Sequence, residues 1–142
     1  FMEDIIKEKI SADHLLYVSL KYTKTCDVII NLLSRWKQMM DKGFERLIEQ
    51  AKKEKKWKPV ADAPRAHVVQ LKNIYKNIPE ISKTIELYEL FRDIDKLEKI
   101  RENEFRKGVN LKVNFRGKLV NINLNQLREY AETLEKFISY LK

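Results

Sequence analysis

Apolar residues recur every three or four positions through most of the 142-residue chain, and after Gly108 the period shortens to two. The first spacing belongs to a helix with one buried stripe, the second to a strand with one buried face. Leu16, Leu20, Cys26, Ile29, Ile30, Leu33, Trp36 and Met40 fall on one helical face. Ser11 suits the N-cap of a helix beginning at Ala12, with Asp13 in its first turn, while Thr23 and Thr25 weaken the turn between Leu20 and Cys26. A helix over 12–41 would run roughly 45 Å, comparable with the width of a domain this size. A break or kink is therefore expected near Gly43, before a second piece bearing Phe44, Leu47, Ile48 and Ala51.

Pro59 and Pro64 bracket a stretch with no apolar period, which reads as the main connection. Pro64 and Pro79 each sit where a first helical residue would. They open a short helix with Val68, Leu71 and Tyr75, and a longer one. The longer stripe runs from Ile81 through Ile94, Leu97 and Ile100 to Phe105, predicting helix up to a left-handed cap at Gly108.

Beyond Gly108, Val109, Leu111, Val113 and Phe115 alternate with polar residues. A two-residue turn at Arg116 and Gly117 pairs Val113 with Val120, Leu111 with Ile122 and Val109 with Leu124, all on one face. Asn123 with Gln126 forms a capping box for a last helix that buries Leu127, Tyr130, Leu134, Phe137, Ile138 and Leu141. The expected fold is mainly α: a bundle of about five helices with one C-terminal β-hairpin, about 109–123, before the last helix, in a single domain over 1–142.

Composition adds limits. The 44% apolar and 35% charged residues suit a folded chain rather than a disordered one. No apolar run is long enough to span a bilayer, and the acidic start MEDIIKEK lacks the order of a signal peptide, so a cytoplasmic protein with no membrane association is expected. Phe1, ahead of Met2, reads as an added residue. The lone Cys26 excludes an internal disulfide and reads as a small core residue. Abundant Lys, Glu and Ile beside four Gln is a bias seen in proteins of hot environments.

The net charge of +8 is unevenly spread. Residues 51–76 carry eight basic and two acidic groups, +6, and residues 109–118 add +3. In the first segment Lys52, Lys53, Lys55, Lys56 and Lys58 surround Trp57, a composition that can neutralise phosphates and stack on an unpaired base. Equally, it describes a solvated helix end with Trp57 folded onto the core. In the second, whose charge comes from Lys112, Arg116 and Lys118, the residues Asn110, Lys112, Asn114, Asn121 and Asn123 form the polar face of the hairpin. Such a ribbon can follow a phosphate backbone, or its lysines can simply guard an edge strand.

Other chemistry is excluded or thin. Glycines only at 43, 108 and 117 leave no phosphate-cradling loop or dinucleotide fingerprint, and there is no nucleophile elbow. His14 and His67 read as surface or cap residues, neither in a Glu-x-x-His pair. A bundle with so few histidines resembles the HEPN ribonucleases in architecture only. Those enzymes carry an Arg four to six residues before a His, and neither His14 nor His67 has one. Glu86, Glu89 and Asp93 share a helical face, as do Asp95, Glu98 and Glu102, but interleaved Arg92, Lys96 and Lys99 point to ordinary ion pairs. Tyr17, Lys21, Tyr22, Thr25 and Asp27 form a polar group read as a packed network, with a ligand pocket as the alternative. No cofactor and no metal are expected.

The strings SLKYTKTCDVIINLL, ELYELFR and ENEFRKG resemble segments of small archaeal helical proteins. That resemblance spans most of the chain and implies an archaeal source without any activity. The leading expectation is a non-enzymatic module that contacts nucleic acid through Lys52–Lys58 and the hairpin, provided both lie on one surface. The alternatives are a homodimeric interaction subunit, favoured if Trp36, Met39, Met40 or Phe44 is exposed, and a magnesium-dependent nuclease using Glu86, Glu89 and Asp93.

Overall fold

The structure, a computed structural model, describes residues 2–142; Phe1 lies outside them. Helix α1 (Met2–His14) opens with Glu3 and Asp4 at its positive pole, then passes into a π turn (Leu15–Ser19) and a last turn α2 (Leu20–Tyr22). It begins well before the Ser11 cap expected from the sequence. Ile5 and Ala12 are buried in line with Leu16 and Leu20, so the stripe extends to the start of the chain and Ser11 is an exposed interior residue.

The break falls at Thr23–Thr25 rather than at Gly43. Thr25 is extended (φ −118°, ψ 155°) and accepts the Val28 N–H on Oγ1 at 3.3 Å. A β-branched side chain loses little there and caps the next helix. Helix α3 (Cys26–Lys53) then runs 28 residues without interruption. Gly43 lies inside this helix where α6 (Leu124–Leu141) crosses it: a Cβ there would meet Phe137 Cε2 at 2.6 Å and Leu141 Cδ1 at 3.1 Å. Glycine here permits close approach.

Pro64 and Pro79 occupy first turns as expected, in α4 (Pro64–Ile74) and α5 (Pro79–Asp93). Helix α5 ends short of Gly108. A 3-10 turn (Ile94–Lys96) closes it, and the Lys99 ammonium donates to the carbonyls of Ile94 at 2.8 Å and Leu97 at 3.0 Å. The chain then enters an unexpected strand, β1 (Lys99–Glu102). The stripe that predicted helix had no burial behind its last members: Ile100 is 57% and Phe105 74% exposed. Gly108 does not adopt the left-handed cap conformation.

Strands β2 (Asn110–Phe115) and β3 (Lys118–Asn123) form the expected hairpin, with β1 added antiparallel along β2. Val113 faces Val120 and Leu111 faces Ile122, as the alternation requires. Arg116 (φ 53°) and Gly117 (φ 80°) make the two-residue turn with both residues left-handed. Asn123 caps α6 by accepting the Gln126 N–H at 2.8 Å.

One buried cluster draws on α1, α3, α4, α5, α6 and the inner face of the sheet. Within it Trp36 stacks on Phe91 and both meet Tyr130 edge-on, with ring centroids 5.3 to 6.5 Å apart, and Phe44 meets both Tyr88 and Phe137. Trp36, Met39, Met40 and Phe44, whose exposure would have favoured a dimer, are buried inside the fold. No helix among the described residues is long and apolar enough to cross a membrane.

Gly43→Ala separates a crossing contact from a weak helix position. Alanine in an open helix would stabilise by about 1 kcal/mol. Here overpacking against Phe137 is expected to dominate, for a net loss of about 1–3 kcal/mol. Urea unfolding measures it, and a stabilised variant would show that α6 does not press on this residue.

Candidate functional site

Helix α3 starts inside the fold, so its first N–H groups need partners. Thr25 serves Val28, and Glu104, from the turn after β1, accepts the Cys26 N–H on Oε1 at 2.9 Å. A carboxylate at the positive pole of a 28-residue helix is well placed. Three more bonds fasten the same region. The Phe105 N–H donates to the Lys24 carbonyl at 2.7 Å, the Cys26 thiol to the Asn110 carbonyl at 3.4 Å, and Arg101 Nη1 to Asp27 Oδ1 at 2.7 Å. Burial pushes the Cys26 thiol up, so it remains a donor. Cys26 is buried as expected, and it also ties helix to sheet.

Docked this way, the turn 103–108 forms one wall of a cleft of about 840 Å³, with the outer face of the sheet as floor and the start of α6 as the far wall. Lys24, Lys107, Lys112 and Arg128 line it against one carboxylate, Glu102, leaving three surplus positive charges. Amides come from Asn103, Asn110, Asn121, Asn123 and Asn125. Asn110 Nδ2 donates to Glu102 Oε1 and to Asn121 Oδ1, both at 2.9 Å, while its own Oδ1 is buried with no donor. The hydrogen bond from Asn110, with Lys112 at 3.5 Å, holds the Glu102 carboxyl below its usual range. Lys24, Lys107 and Arg128 have no carboxylate in ion-pair contact among the described residues. A second hollow of about 300 Å³ shares Lys24, Leu124 and Arg128 with the cleft and extends it to Tyr17 in the π turn and Lys21 in α2.

Of the residues singled out from the sequence, Asn110, Lys112, Asn121 and Asn123 meet in this cleft, and Asn114 lies exposed on the same sheet face. Arg116 and Lys118 flank the hairpin tip outside it. The lysine cluster does not join them: Lys52 and Lys53 end α3, roughly 40 Å of helix from Cys26. There Lys53 faces a different hollow containing Glu49 and Glu54, Lys56 pairs with Glu54 at 3.3 Å, and Lys55 and Lys58 are exposed. Trp57 is half-buried against the core and meets His67 edge-on at 5.8 Å. It is not a free stacking surface.

The polar group expected in the first helix is dispersed as well. Tyr17, Lys21, Tyr22 and Asp27 are exposed, so they form no packed network; Thr25 caps α3 and Asp27 holds Arg101. The carboxylates Glu86, Glu89 and Asp93 do not converge. Glu86 is exposed, Asp93 sits 3.1 Å from Arg92, and Glu89 is buried between Lys72 and Arg116, each 2.5 Å away. Among the described residues no three His, Cys, Asp or Glu side chains are grouped to hold a metal. His14 is exposed, and His67 lies 3.4 Å from Asp62.

Lys24, Lys107, Arg128, Asn103 and Asn125 were missed in the sequence. Six asparagines between 103 and 125 were the available signal, because such density is unusual for a strand region. Compared with protein-family models, curated proteins and solved structures, the chain matches none of them.

Glu89 generates a pH prediction. Burial alone would raise its carboxyl, but the hydrogen bonds and charges of Lys72 and Arg116 prevail and lower it from its ordinary 4.5. A carboxyl depressed in the folded state stabilises fully above its unfolded value and loses that contribution as pH falls through the folded one. Glu89→Gln should therefore cost about 1–3 kcal/mol at pH 7. The gap from the wild type should close below about pH 4.5. Urea unfolding at both pH values checks this, and an unchanged gap in acid would mean that the charge of Glu89 is not what holds the hairpin tip.

Proposed function

We propose that the protein is a non-enzymatic nucleic-acid-binding protein whose contact surface is the asparagine-rich cleft between the 103–108 turn, the sheet and α6. The observation that carries this reading is the convergence of Lys24, Lys107, Lys112 and Arg128 on one concavity with a single opposing carboxylate. Clustered cations of this kind neutralise phosphates and release counterions. Amide side chains beside them donate and accept, which suits sugar and phosphate oxygens as well as base edges. The Lys52–Lys58 cluster is a weaker candidate, because its tryptophan faces inward and part of its charge is met by Glu49 and Glu54.

Fluorescence anisotropy with labelled RNA and DNA oligonucleotides over a salt series tests the assignment. Replacing Lys24, Lys107, Lys112 and Arg128 together by Ala should weaken binding at least about tenfold and flatten the log–log salt slope by about 3, the share of four phosphate contacts. Replacing Lys52, Lys53, Lys55 and Lys56 by Ala should change the slope less. No binding at low salt, or a loss confined to the second variant, would overturn the assignment.

A further inference from the structure

Three aromatic side chains in segments that border the cleft are turned to solvent. Phe105 is 74%, Tyr22 78% and Tyr17 59% exposed. Phe105 sits in the turn that forms one wall, with its N–H on the Lys24 carbonyl. Tyr22 is two residues from Lys24, with the Lys21 ammonium 5.8 Å from its ring, and Tyr17 lines the adjoining hollow.

Phe105 carries the stronger signal. Its backbone is left-handed (φ 65°), a conformation costly for a bulky side chain and ordinarily left to Gly or Asn. Burial does not repay it, because the ring is in water. The backbone bond to Lys24 holds this conformation, but the ring gains no packing from it, and strain beside a site with the ring left in solvent points to use of the exposed ring itself. Tyr17 belongs to the π turn, another local departure found often at functional positions.

Given the cleft as a nucleic-acid surface, on which this step rests, we infer that its ligand is a single strand, its phosphates held by Lys24, Lys107, Lys112 and Arg128 and its bases stacked on Phe105, Tyr22 and Tyr17. A duplex offers no unpaired base faces to these rings, whereas every base of a single strand does. The neighbouring cations favour the same occupant, since an acidic peptide would satisfy the charge and leave the rings bare.

The test uses the full chain, anisotropy at fixed salt, and a labelled 15-nucleotide single strand against a duplex of the same sequence. The single strand is expected to bind at least about tenfold tighter. Phe105→Gly should lower single-strand affinity about 5- to 100-fold without altering the salt slope. It should also melt no lower than the wild type, because it removes an exposed ring and a left-handed phenylalanine. Phe105→Trp should retain binding, and Tyr22→Ser should lose it in the manner of Phe105→Gly. Equal affinity for the duplex, no effect of the aromatic changes, equal competition by poly-glutamate, or loss of self-association in place of binding would each overturn the inference. Binding that depends on the four cations but not on the rings would leave the cleft as a nucleic-acid surface, whereas absence of any nucleic-acid binding would remove both readings.

Discussion

The start of helix α3 is the constraint on which the rest of the architecture depends. Two of its orphan N–H groups, those of Cys26 and Val28, are met from two directions: Thr25 from just upstream serves Val28, and Glu104 from the turn after β1 serves Cys26. Because Glu104 stands in the turn between β1 and β2, capping the helix also sets the height and angle of the sheet. Phe105 bonding to Lys24 and the Cys26 thiol bonding to Asn110 leave that turn little freedom. The cleft is the space this docking creates between a helix end, a turn and a sheet face. At the other end of the sheet, Glu89 between Lys72 and Arg116 anchors the hairpin tip to α4 and α5.

Elements whose signal is local were legible in the sequence. Alternation together with the Arg116–Gly117 turn determined the hairpin register, and two prolines and one capping asparagine marked helix starts. Failures arose where tertiary packing outweighed local preference. Gly43 looks like a breaker until Phe137 of α6 is placed against it. The apolar period from Ile81 to Phe105 looks like one helix, yet Ile100 and Phe105 are exposed and Lys99 closes the helix at its carbonyls. A four-residue edge strand has too few positions to announce itself by period.

The candidate site was half legible for a related reason. Asn110, Lys112, Asn121 and Asn123 share a strand face, which follows from a period of two. Lys24, Lys107 and Arg128 join them only through the docking of three separate elements, and nothing in their own neighbourhoods marks them. Conversely, the densest run of positive charge, Lys52–Lys58, drew attention because charge density is visible in a sequence and concavity is not. Net charge describes attraction in general, while a site needs shape and complementary groups in one place.

The most direct test of the central claim is a nuclear magnetic resonance titration of the uniformly 15N-labelled protein with a short single-stranded oligonucleotide. The account predicts that the amides of Lys24, residues 103–108, Lys112, Asn121 and Arg128 shift together with one affinity while those of 52–58 stay in place. Shifts confined to 52–58, or spread evenly over the surface, would contradict it.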